Sequence, residues 1–129
     1  MKKEVFENNP ILKLTLEFSL SVVEYCDLLQ AERKFTISNQ LFRCGTSIGA
    51  NSFEAQNAES KADFIHKIKI AAKEADETQY WLMLCEFSSN YPDCKKLGVK
   101  LSEIQRIINS ILGTAKRKNP LRFFLSLFL

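Results

Sequence analysis

Apolar residues recur at helical spacing in four separate stretches of the chain. The first stripe is Ile11, Leu14, Phe18, Val22, Tyr25 and Leu29, and the second is Ile37, Leu41, Cys44, Ile48 and Ala55. The third is Phe64, Ile68, Ala71, Ala72, Ala75 and Leu82, and the fourth is Leu97, Leu101, Ile104, Ile108, Ile111 and Ala115. Side chains three and four residues apart share one side of an α-helix, so each stripe predicts a helix that buries one face. Four such helices predict an all-α fold, an antiparallel up-down-up-down four-helix bundle. Short connections at residues 32–36, 58–60 and 90–93 favour antiparallel neighbours.

Local chemistry marks where the helices begin. Asn9 before Pro10 has the form of an N-cap followed by a first-turn proline, which opens the first helix. Ser60 followed by Asp63 has the spacing of a capping box and starts the third helix near Lys61. Pro92 and Asp93 start the fourth. Within the second helix Gly45 and Gly49 lie one turn apart. Each costs about 1 kcal/mol of helix propensity relative to alanine, so a backbone packed closely against them must return that.

Several segments carry more apolar surface than one core uses. Phe42, Gly49 and Phe53 form a second stripe rotated away from Leu41 and Ile48. Trp81 and Leu84 point away from Leu82, and Leu12, Leu16 and Val23 repeat the pattern on the first helix. A helix apolar on two faces is buried on two faces. The expectation is a homo-oligomer with Phe42, Phe53, Trp81 and Leu84 as interface anchors.

Composition narrows the picture. A chain of 129 residues supports one core, placed at residues 1–118 and followed by a hydrophobic tail at 119–129. That tail, LRFFLSLFL after Asn119 and Pro120, is too short for a transmembrane segment. It can dock on the bundle or on a neighbouring subunit, lie in a membrane interface, or stay mobile; docking is the expectation. The formal charge is only +3, but lysines cluster at Lys61, Lys67, Lys69 and Lys73, and again at Lys116, Arg117, Lys118 and Arg122. Cys26, Cys44, Cys85 and Cys94 lack metal-site spacing, and with no signal peptide they read as buried thiols of a cytoplasmic protein. His66, the only histidine, reads as a surface or interface residue. No nucleophile-base pair or phosphate-binding glycine loop is present, so the chain is expected to be no enzyme and to use no cofactor or metal.

One polar constellation stands out on the second helix: Arg43, Ser47, Asn51 and Glu54, about one turn apart. These side chains can bond in sequence or reach Lys73 or Glu77 on the third helix. A hydrogen-bonded network that sets helix register is the preferred reading, and a ligand or nucleic-acid contact is the other.

Arg43, Ser47, Ile48, Asn51 and Glu54, followed by an alanine-rich third helix with acidic residues, resemble the four-helix-bundle proteins of bacterial 23S ribosomal RNA intervening sequences. The resemblance runs from about Ile11 to Lys116. A related branch is the accessory variability-determinant protein of diversity-generating retroelements. It implies a ring-like homo-oligomer, a pentamer, with a basic surface that associates with nucleic acid and a reverse transcriptase. The chain departs from the family's Asn-Ile-Ala-Glu-Gly-basic pattern: Asn51, Ser52, Phe53, Glu54 and Ala55 lead into Gln56, without local positive charge. Two functions follow as expectations. One is RNA or DNA association through Lys67, Lys69, Lys73, Lys116, Arg117 and Lys118; the other is a scaffold that binds another protein and has no nucleic-acid role.

Overall fold

The computed structural model describes residues 3–117, and all regular structure among them is helical. A one-turn helix α1 (Lys3–Glu7) precedes four long ones: α2 (Pro10–Ala31), α3 (Phe35–Ala55), α4 (Lys61–Phe87) and α5 (Lys95–Arg117). These four are the predicted segments. α2 packs on α3 and α5, and α4 packs on α3 and α5, so each long helix has two neighbours.

The core is the union of the four stripes. Phe18, Leu41, Ile48, Ile68, Ala75, Leu82, Leu101, Ile104 and Ile108 are all buried, whereas Leu14, Ile37, Ala72 and Ile111 are only partly covered at the edges. Both central glycines of α3 face α2. A Cβ on Gly45 would stand 3.0 Å from Val22 Cγ2, and one on Gly49 would stand 3.3 Å from Thr15 Cβ and Oγ1. Thr15, itself buried, returns its hydroxyl proton to Ile11 O at 2.6 Å, so the close approach leaves no unpaired polar atom.

The ends are closed by side chains. Asn9 Oδ1 accepts from Leu12 N at 3.5 Å, as an N-cap should. Ser60 Oγ accepts from Asp63 N at 3.0 Å, while Asp63 Oδ2 accepts from Glu59 N at 3.1 Å, which closes the box one residue further out than the usual form. α5 begins two residues after the expected Asp93, because that carboxylate caps Lys95 N at 3.0 Å from outside the helix. α2 ends with Arg33 in the left-handed region at φ 62°, and Arg33 N and Lys34 N reach back to Gln30 O and Leu29 O at 2.9 and 2.8 Å. That pair of bonds is a Schellman closure with arginine where glycine is usual. The Lys34 ammonium then donates to Asn90 O at 2.6 Å and lies 4.6 Å from the Tyr91 ring centroid, and Tyr25 Oη donates to Pro92 O at 2.8 Å. Two connections are thereby tied together at one end of the bundle.

Two glycines should respond oppositely to substitution. Gly45→Leu overpacks the α2–α3 contact and is expected to cost about 1–3 kcal/mol in urea unfolding. Gly98 sits within α5 and has open space where a Cβ would stand. Gly98→Ala should therefore stabilise by about 0.5–1 kcal/mol.

Candidate functional site

α3 and α4 meet along a polar seam that the arginine-serine-asparagine-glutamate constellation builds. Arg43 donates from Nη1 to Glu74 Oε2 at 3.3 Å, and from Nη2 to Gln40 Oε1 at 3.4 Å and to the Glu77 carboxylate. Trp81 Nε1 donates to the same Glu77 carboxylate at 3.2 Å. Ser47 Oγ donates to Arg43 O at 2.7 Å and Asn51 Nδ2 donates to Ser47 O at 2.9 Å, so these two bond within their own helix. Glu54 reaches across to Lys67 Nζ at 3.2 Å.

Arg43 and Glu54 thus cross to α4, Ser47 and Asn51 do not, and Lys73 is not among the partners. Glu74 is the residue that sequence reading missed. Its signal was its position one turn before Glu77, since two like charges at that spacing repel unless a cation lies between them. Arg43 is half exposed, so its ion pairs contribute at most about 1 kcal/mol and act chiefly by orienting Glu77 and Trp81. Among the described residues every buried side-chain nitrogen and oxygen has a hydrogen-bond partner, and no cluster of His, Cys, Asp and Glu could hold a metal.

The proposed interface anchors divide between different faces. Phe42 and Phe53 are exposed on the α2 side of α3, three turns apart, with Phe35 on the same stripe. Leu16, Leu20 and Val23 are exposed on α2. A groove of about 400 Å³ joins the two helices here, with Leu16, Gly49 and Phe53 in its lining and Phe6 of α1 stacked on Phe53 at 6.2 Å between centroids. Trp81 and Leu84 are elsewhere and half-buried, Trp81 against the polar seam. Leu12 is a correction: with 2% exposure it belongs to the core of the single chain, because its turn of α2 faces α3. Gly49 is another, since it admits Thr15 of its own chain. Away from α2, Tyr80, Met83 and Phe87 stand exposed on α4: Met83 lines a cleft with Val99 of α5, and Tyr80 meets Trp81 edge-on at 5.7 Å between ring centroids.

The basic residues also divide. Lys67 is paired with Glu54 on the α3/α4 seam. Lys69 and Lys73 are exposed roughly 160° and 120° around the helix from it, on the side that carries Asp76. Asp76 and Gln79 accept from Gln105 Nε2 at 3.4 and 3.1 Å, and exposed Lys116 occupies the same side of α5 as Gln105. Lys116 therefore borders the α4/α5 seam, where a small polar cleft lined by Asp76, Gln105 and Asn109 lies between the helices, while Lys69 and Lys73 stand on the outer face of α4. Arg117 ends α5; Lys118 and the tail at 119–129 lie outside the described residues. His66 is exposed.

All four cysteines are free and buried. Burial pushes each thiol above its ordinary value, and burial together with Cys85 pushes the Tyr25 phenol up strongly. A group whose folded value is raised keeps its proton when the unfolded chain has lost it. Stability is accordingly intact below the ordinary thiol value of about 8.5 and falls as pH rises above it, by up to about 1.4 kcal/mol per pH unit per thiol. Urea midpoints measured between neutral and alkaline pH should show this decline, and a thiol-specific reagent should react with all four cysteines only on unfolding. At neutral pH, Arg43→Ala should shift Trp81 emission while lowering stability by no more than about 1 kcal/mol.

Residues 7–110 match the family model described as 23S rRNA-intervening sequence protein. No curated protein matches the chain. Among solved structures, the chain is similar to a protein of unknown function from the S23 ribosomal protein family of Bacteroides thetaiotaomicron. The two are 40% identical with a TM-score of 0.76, over 79% of this chain and 97% of that one. The match to the family model spans α2, α3 and α4 entirely and α5 as far as Ser110, which includes the Arg43 constellation and its α4 partners. With its four-helix architecture and this coverage, the chain belongs to the 23S rRNA-intervening sequence protein family.

Proposed function

We propose that the protein is a non-enzymatic, cytoplasmic, homo-oligomeric bundle that associates with nucleic acid through basic patches repeated around a ring. The observation that carries this reading is the pair of exposed apolar faces on opposite sides of the bundle. One is Leu16, Leu20, Val23, Phe35, Phe42 and Phe53; the other is Tyr80, Met83 and Phe87. Two different faces that join head to tail close into a ring when the rotation per subunit allows, whereas a two-fold dimer uses a single face twice. A pentamer is favoured by the resemblance to the retroelement branch.

An up-down-up-down order supports the placement of the charges. Side-chain pairs run in opposite senses along neighbouring helices: Arg43 with Glu74 and Glu77 but Glu54 with Lys67, and Tyr25 with Pro92 but Ser21 with Lys100. That order sets Lys116 beside the first half of α4, near Lys69 and Lys73, with Arg117 and Lys118 next in sequence. Three or so charges per subunit bind phosphate weakly. Copies around a ring act together through effective concentration, giving contacts that position without reading bases.

The alternative is a protein-binding scaffold, favoured by the formal charge of only +3 and by the engagement of Lys67 with Glu54. Sedimentation and salt-dependent binding to structured RNA and duplex DNA separate the two. Phe42→Glu with Phe53→Glu should dissociate the assembly and leave it helical. Lys69→Gln, Lys73→Gln and Lys116→Gln together should preserve the assembly, weaken nucleic-acid binding and flatten its salt slope, by roughly 0.7–0.9 for each phosphate no longer engaged. An intact oligomer that binds neither polymer at low salt would favour the scaffold, and a monomer at micromolar concentration would refute the ring.

A further inference from the structure

Between α2 and α5 runs a groove that neither apolar face nor either polar seam uses. Two cavities of about 440 and 400 Å³ lie along it and share Lys96 and Lys100 in their linings. Its apolar surface includes Leu14, Leu28 and Val99, the last two of them 54% and 62% exposed. The walls differ in sign. On α5, Lys95, Lys96 and Lys100 line the groove, and on α2, Glu17 and Glu24 do. Among the described residues no ion pair joins the walls: Lys100 Nζ donates to Ser21 Oγ at 3.0 Å instead, and Asp93 spends one oxygen capping Lys95 N. Glu103 within the α5 wall, and Asp93 just before the helix, are the exceptions to its basic character.

From this charge segregation we infer that the α2/α5 groove is a docking site for an amphipathic helix of a partner protein. The bound helix presents an apolar stripe with carboxylates on one flank and basic residues on the other. From Leu14 to Leu28 the groove is about 21 Å long, which suits a helix of about four turns. A helix satisfies its own backbone, whereas an extended peptide would set unpaired amides against two helices whose backbone groups are already bonded. The acidic α2 wall excludes a polyanion such as nucleic acid. The carboxylate flank of the partner meets Lys95, Lys96 and Lys100, its basic flank meets Glu17 and Glu24, and its apolar stripe covers Val99 and Leu28.

The test uses the full chain and three fluorescein-labelled helical peptides of about 15 residues. All share a leucine stripe; one has an acidic and a basic flank, one two acidic flanks, and one two basic flanks. Fluorescence anisotropy should show the two-sign peptide binding at least about tenfold more tightly than either single-sign peptide. Val99→Glu, at an exposed position that leaves the fold intact by circular dichroism, should abolish that binding. Lys96→Glu with Lys100→Glu should weaken the two-sign peptide about tenfold and tighten the two-basic-flank peptide by a similar factor. Equal affinities for the three peptides, or no saturable binding up to about 1 mM, overturn the proposal. So does either of two other results: saturable dodecanoate binding abolished in Val99→Glu without peptide binding, or self-association abolished in that variant without peptide binding.

Discussion

The close approach of α2 and α3 at Gly45 and Gly49 is the constraint on which the other surfaces depend. With Val22 and Thr15 pressed against backbone that has no Cβ, the two helices leave no room between them for the larger side chains on their flanks. Leu16, Leu20 and Val23 on one helix, and Phe35, Phe42 and Phe53 on the other, are consequently turned outward as one apolar strip. Bulkier residues at positions 45 and 49 would spread the pair and draw part of that strip into the core. The glycines spend helix propensity, and the packing they permit determines which hydrophobic side chains are left for another surface.

Polar groups hold the rest of the bundle in register. The α3/α4 contact is bordered by charge pairs at Arg43 with Glu74 and Glu77, and at Glu54 with Lys67. Exposed pairs of this kind contribute little net stability, but a helix rotated out of place would leave Glu74 and Glu77 beside each other without a cation. At one end of the bundle Lys34 and Tyr25 bond to carbonyls of the α4–α5 connection, which fixes where α5 begins relative to α2. Between α2 and α5 the side-chain bond is Lys100 to Ser21, and grooves remain there.

The four sides of the bundle therefore differ in chemistry. α2/α3 is apolar, α3/α4 is a satisfied polar network, α4/α5 joins glutamine-centred hydrogen bonds to a cleft lined by Met83 and Val99, and α2/α5 is a groove with oppositely charged walls. A net charge near +3 hides this division, because its signs cancel in the sum and separate in space. Family membership is consistent with the architecture and with the Arg43 constellation, whose described bonds lie within the α3/α4 pair.

Helical period alone determined the four helices and nearly all of the core, since a stripe repeated every three to four residues has one economical solution, burial against similar stripes. Asn9, Pro10 and Ser60 marked two helix starts because capping is local chemistry between residues a few positions apart. Only the tertiary structure decided which surplus hydrophobics share a face. Leu12 and Phe42 look alike in sequence, yet one meets α3 and is buried while the other stands half exposed. It also decided that Lys67 is paired with Glu54, because the rotation of α4 against α3 sets that lysine beside the carboxylate and leaves Lys69 and Lys73 exposed. The paired walls of the α2/α5 groove were illegible for the same reason: periodicity reports the side of a helix on which a residue lies, and packing alone reports what stands opposite.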